Sequence, residues 1–198
     1  MKKEDKVSKK VVILIMIISI LFLLIIFLAF LCFSLQKEKT TVYDSGSILM
    51  TYSNKQNSLT IDNSLPLSDQ EGTNLNNVNY YFDFTVKTNL RDSKKMIYEV
   101  TINKDSSSDI SDDSIRVYLE KQQSGTYSKV FGPQKYIPLT KKTDVGSPVG
   151  SMVLLRNVVK DDSSDNYRLK MWVSSDEKLD NSVINNYTVK IDVYGKAQ

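Results

Sequence analysis

Residues 11 to 34, VVILIMIISILFLLIIFLAFLCFS, contain no charged residue, no proline and no glycine, and no other feature of the chain restricts its fold as severely. At 1.5 Å per residue such a run makes a helix about 36 Å long, enough to cross a hydrocarbon core about 30 Å thick. Nineteen of residues 11–33 are Leu, Ile, Val or Phe. Each favours insertion by about 0.3 to 0.6 kcal/mol at mid-bilayer, several kcal/mol in sum. Lys2, Lys3, Lys6, Lys9 and Lys10 precede the run, and only Lys37 and Lys39 follow it closely. The positive-inside rule therefore predicts a cytoplasmic N-terminus and an external C-terminal part.

The run is read as retained. A cleaved signal peptide has a shorter apolar region ending at a small-x-small site, for which Cys32-Phe33-Ser34 is a poor match. Leu31, standing before Cys32, argues against lipidation. The helix carries no Gly-xxx-Gly pair and no charge, so it reads as a plain anchor in the lipid bilayer. The predicted organisation is a basic cytoplasmic tail (1–10), a transmembrane helix (11–34), a stalk (35–46) and one extracytoplasmic domain (47–198).

The net charge of +3 belongs to the tail, whose five lysines face only Glu4 and Asp5 and leave 21 basic and 21 acidic side chains beyond. A neutral domain has no excess field to attract a polyanion, so nucleic acid is not an expected partner. The chain has no histidine, which removes the commonest general base and zinc ligand. Its one cysteine, Cys32, lies in the apolar run, so the domain has no disulfide and must be stabilised by packing.

Beyond the stalk the period is two. Val78, Tyr80, Phe82, Phe84 and Val86 alternate with polar neighbours; Met96–Ile102, Ile115–Leu119, Tyr167–Val173 and Tyr187–Val193 repeat the pattern. Shorter strands are predicted near 47–53, 57–61, 127–131, 134–139 and 150–156, with a brief helical turn within 66–76. The glycines and prolines are placed between strands. Nine or ten antiparallel strands with short connections predict an all-β fold, an antiparallel β-sandwich of jelly-roll or immunoglobulin type with two polar-backed sheets. The connections 104–114, 141–148 and 160–166 are polar and expected to be exposed.

Two groups of residues are candidate sites. Asp105, Asp109, Asp112 and Asp113 in one loop, with Asp161, Asp162 and Asp165 in another, could supply oxygen ligands to calcium. Neither loop has an EF-hand spacing, and serine and aspartate in turns commonly cap backbone groups instead. Arg168, Lys170 and Trp172 share one side of a strand, a composition suited to contact with a protein or a glycan. The competing reading is that a neighbouring loop or the basic stems themselves cover Trp172. The eleven tyrosines read mostly as strand and rim residues.

PLSDQEG (66–72), YYFDFTVKT (80–88), YRLKMWV (167–173) and VKIDVYGKA (189–197) together resemble a family of uncharacterised Firmicutes membrane-anchored proteins. The resemblance implies a β-sandwich exposed on a Gram-positive-type surface and supplies no catalytic residues. In architecture alone the chain is also similar to the jelly-roll matrix-fibre subunits of bacilli. The expected function is a non-catalytic, cofactor-free interaction or structural module that binds a protein or cell-wall partner, or associates with itself through edge strands. The alternative is a tethered or secreted enzyme acting on wall glycan through a carboxylate pair, such as Asp83 and Glu99.

Overall fold

The computed structural model describes residues 9–35, 39–44, 48–54, 58–62, 65–90, 95–176 and 186–198, in two compact units, Met1–Lys37 and Glu38–Gln198.

The first unit is one helix, α1 (Lys9–Leu35), about 40 Å long at 1.5 Å per residue. Between Ile13 and Phe27 its large apolar side chains are 49–64 % exposed. The hydroxyl of Ser19 donates to the carbonyl of Ile15 at 2.9 Å, so this polar group is satisfied within the helix. Side chains are described only from Ile13 to Phe27, and among the described residues no helix is long and apolar enough to cross a membrane. The backbone helix continues beyond that stretch at both ends.

Among the described residues the second unit has ten strands: β1 (Lys39–Asp44), β2 (Ile48–Asn54), β3 (Ser58–Asp62), β4 (Tyr81–Leu90), β5 (Met96–Lys104), β6 (Ile115–Gln123), β7 (Thr126–Lys135), β8 (Ser151–Val159), β9 (Ser163–Val173) and β10 (Asn186–Ala197). They form a six-stranded sheet, β1-β2-β4-β9-β6-β7, and a four-stranded sheet, β3-β10-β5-β8. All strand pairings are antiparallel. From β3 onward the order 3-10-5-8 against 4-9-6-7 is jelly-roll connectivity, with the β1–β2 hairpin added beside β4. The immunoglobulin order is not formed.

Alternation places the core as expected. Phe82, Phe84 and Val86 of β4 and Tyr167, Leu169 and Met171 of β9 meet Tyr98, Val100 and Ile102 of β5 and Val189, Ile191 and Val193 of β10. Each fully buried aliphatic side chain contributes about 1.5–3 kcal/mol, and with no cysteine in this unit that burial does the work of a covalent staple.

Several details depart from the sequence reading. The folded unit begins at Glu38, and β1 lies inside the segment read as a stalk, because pairing with β2 and not its own weak pattern makes it a strand. Gly132 and Pro133 do not separate two strands; β7 runs through them, with the peptide between them cis and the register against β6 shifting opposite. Gly195 lies within β10. The 141–148 connection is not wholly exposed, since Val145 and Ser147 are buried. They fold over the outer face of the four-stranded sheet, where Glu99 (1 % exposed) accepts from the hydroxyls of Thr143 at 2.7 Å and Ser147 at 2.6 Å and from Arg156 at 3.0 Å. Both faces of β5 are consequently buried, and this sheet is not polar-backed there.

Two glycines are required by backbone geometry. Ser124 and Gly125 turn the β6–β7 hairpin with φ of 49° and 84°, the positive values a two-residue turn needs. Gly132 has φ 75°, and a Cβ there would overlap the carbonyl oxygen of Val117. Gly132→Ala is expected to cost about 1–3 kcal/mol, read as a lower urea midpoint with an unchanged slope.

Candidate binding face

The outer face of the six-stranded sheet is set by register. Tyr81, Asp83 and Thr85 of β4 stand beside Lys170, Arg168 and Asn166 of β9; Tyr118 and Glu120 of β6 stand on the other side of Lys170 and Arg168; and β7 adds Tyr127 and Lys129. Arg168 is the centre. Its Nε and Nη2 donate to the two carboxylate oxygens of Asp83 at 2.7 and 2.8 Å, and its guanidinium lies 3.9 Å from the ring centre of Tyr81 and 4.3 Å from that of Tyr127. The Asp83 hydrogen bonds hold its pKa above the ordinary value. The ion pair is partly exposed and contributes little to stability; its effect is to fix the guanidinium before any ligand arrives. Asn166 continues the row, accepting from Thr85 at 2.8 Å and donating to Gln122 at 3.1 Å.

Lys170 and Trp172 lie on the same face as Arg168, as the alternation predicts, but both are covered. The connection from β3 to β4 crosses over them as a strap containing the short helix α2 (Asp69–Thr73). Ser68 starts α2 with a capping box, its hydroxyl accepting from the Glu71 amide while Glu71 accepts from the Ser68 amide. The Ser68 hydroxyl also donates to Glu71 Oε2 at 2.7 Å, and this bond, with the one from the Ser68 amide, lowers the pKa of the exposed Glu71 carboxyl. Gly72 rests on the indole of Trp172: a Cβ there would sit 2.7 Å from Cε3 and closer still to Cδ2 and Cε2. Trp172 is fully buried, and its Nε1 has no hydrogen-bond partner among the described residues. Lys170, 4 % exposed, donates to the Thr73 carbonyl at 2.7 Å and pairs with Glu120 at 3.1 Å. Arg168 is the one member of the trio beside the open part of the face. The Ser-x-x-Glu capping signature was legible in the sequence; its position above Trp172 was not.

The acidic loop residues are engaged by protein groups. Asp105 pairs with Lys190 at 2.9 Å, which with the Ser107 hydrogen bonds holds its carboxyl down at about 2. Asp109 accepts from Asn186, Asp112 from Lys104 and Tyr187, and Asp113 from Lys135. Asp162 accepts from the Leu90 amide, Asp165 pairs with Lys121, and Asp161 is exposed. Among the described residues no group of three or more acidic side chains is arranged to hold a metal ion. Asp83 and Glu99 lie on opposite outer faces of the sandwich, each paired with an arginine, and do not share a cleft.

Four tyrosines belong to the core: Tyr98, Tyr167 and Tyr187, on the inward sides that alternation assigns them, and Tyr136 are all buried. At one end of the sandwich the hydroxyls of Tyr98 and Tyr167 are 2.6 Å apart, Tyr98 donates to Asp165 at 3.1 Å, and Asn157 donates to Tyr98 at 3.0 Å. At the other, Tyr187 donates to Asp112 and Tyr136 to the Gly150 carbonyl. Burial is the main cause that raises all four pKa values, Tyr98 to about 12. A neutral tyrosine held above its unfolded value keeps its proton longer in the native state. Its contribution is complete below about pH 10 and is lost as pH rises through the folded value. Urea midpoints are therefore expected to hold steady around neutrality and fall between about pH 10 and 12.

No family model matches the chain, and no curated protein matches it. A solved structure described as "AvmM Catalyzes Macrocyclization in Alchivemycin A Biosynthesis" aligns with 81 % of this chain and 97 % of its own at 9 % identity, with a TM-score of 0.29. A likeness that distant carries no functional argument.

Proposed function

We propose that the chain is a membrane-tethered interaction module on a Gram-positive-type cell surface, non-catalytic, with α1 in the bilayer, the N-terminal lysines inside and the β-sandwich outside. One observation carries the tether: the large apolar side chains from Ile13 to Phe27 point outward all around α1, 49–64 % exposed. A helix apolar on every side is stable only in an apolar surrounding. In this reading the sandwich engages a protein or cell-wall partner through the open part of the outer face around Arg168, where tyrosines and a pre-oriented arginine give the composition of an interaction hot spot.

The same face suits binding better than the β7 and β8 edges suit self-association. β7 carries Pro133 and the exposed lysines Lys129 and Lys135, features that discourage strand addition. The start of β8 is already bonded by Leu139, whose amide donates to Ser151 O at 2.7 Å.

Membrane fractionation with surface labelling tests the tether. The full chain is expected to resist alkaline carbonate extraction, and a membrane-impermeant amine reagent on intact cells should label lysines of the sandwich such as Lys129 and Lys160. Extraction into the soluble fraction, or labelling only after lysis, would overturn the reading.

A further inference from the structure

We propose that the strap between β3 and β4 is a displaceable cover, and that beneath it Trp172, Tyr118, Lys170 and Arg116 form a platform for an acidic segment of a partner protein. This rests on the reading of the domain as a binding module and adds the partner's chemistry.

Three observations support it. Trp172 is fully buried, yet among the described residues its indole N–H meets no acceptor, which is uncommon for a buried donor. The closed strap leaves unused the hydrogen bond that another occupant could accept. The contact is also thin: Gly72 is the only buried residue of α2, and the ends of the strap are tied elsewhere. Leu67 is bonded to Val173 and Ser175 at one end, and Tyr80 to Asn77 at the other. Local openings of this kind start where few apolar groups are buried.

Charge supplies the third. Apart from the Tyr118 hydroxyl, which can donate or accept, the platform's polar groups are an indole N–H, an ammonium and a guanidinium, donors without acceptor capacity. The strap answers them with acceptors, the Thr73 carbonyl on Lys170 at 2.7 Å and Asp69 near Arg116 at 3.9 Å. Residues 65–80 contain Asp69 and Glu71 and no lysine or arginine. Glu120 stays beside Lys170, and Asp176 and the Asp113 carbonyl beside Arg116, when the strap lifts, so an incoming segment must replace the one carboxylate and one further oxygen that the strap removes, and can add the acceptor for the indole that the strap lacks.

The chain's single tryptophan reports the state of the cover. With the full chain in detergent micelles, Gly72→Leu, whose side chain cannot rest on the ring, is expected to red-shift Trp172 emission and raise acrylamide quenching several-fold. A synthetic peptide of residues 65–77 should reverse both changes, and the same peptide with Asp69→Asn and Glu71→Gln should do so several-fold more weakly. In the wild-type chain, amide exchange across 68–77 should run many-fold faster than across β9, whether or not the variant folds well. Strap exchange as slow as that of β9 would overturn the cover. A neutral peptide as effective as the acidic one would overturn the acidic partner. Either failure, with surface labelling and crosslinking through the Arg168 face intact, would leave the tethered-module reading standing.

Discussion

Trp172→Ala is expected to destabilise the sandwich by about 3–5 kcal/mol, the cost of removing a large aromatic side chain from a buried site. The indole is fully buried between β9 and α2, with the Tyr118 ring centre 6.4 Å away, and Gly72 rests directly on it. Trp172→Phe should cost much less, because it keeps much of the ring contact and removes the unpartnered N–H along with the indole nitrogen. Denaturation followed by circular dichroism measures both, since the tryptophan signal disappears with the residue. Equal losses for alanine and phenylalanine would show that the ring contact is not what stabilises the site.

Glu120→Leu is the second large effect, also about 3–5 kcal/mol. The side chain of Lys170 is 5 % exposed and that of Glu120 12 %, so the substitution strands an ammonium whose remaining described partner is the Thr73 carbonyl. A buried pair is not worth what breaking it costs: part of the loss is the penalty on the abandoned charge, and replacing both members by apolar groups of similar volume is often neutral. Lys170→Met combined with Glu120→Leu is therefore expected to recover most of the stability lost by Glu120→Leu alone. A double variant as unstable as the sum of the singles would show that the two residues are not coupled and that a stranded charge is not the source of the loss.

The strands that alternate cleanly were legible because each side of a half-buried strand has one fate. Tyr81–Leu90 and Asn186–Ala197 keep that alternation in burial over most of their length. Reading failed where a third layer lies on a sheet. β5 is buried on both sides because Glu99 gathers Thr143, Ser147 and Arg156 above it, and no periodicity within Met96–Lys104 encodes that. At the candidate site period two places Arg168, Lys170 and Trp172 on one face, and a neighbouring loop covers Trp172 as one of the two readings expected; which loop does so, and that it also covers Lys170, depends on tertiary packing. β1 shows the third kind of loss, a segment whose strand character comes from its partner β2.

The partner of the membrane-held sandwich is proposed to bind at the open face around Arg168. Photo-crosslinking on intact cells tests it most directly, with a photoreactive residue replacing either Lys129, exposed beside that face, or Lys196, exposed on the outer side of the four-stranded sheet. The expected result is a discrete adduct from position 129 that weakens with Arg168→Ala and is missing from position 196. No adduct at 129, or the same adducts from both positions, would contradict it.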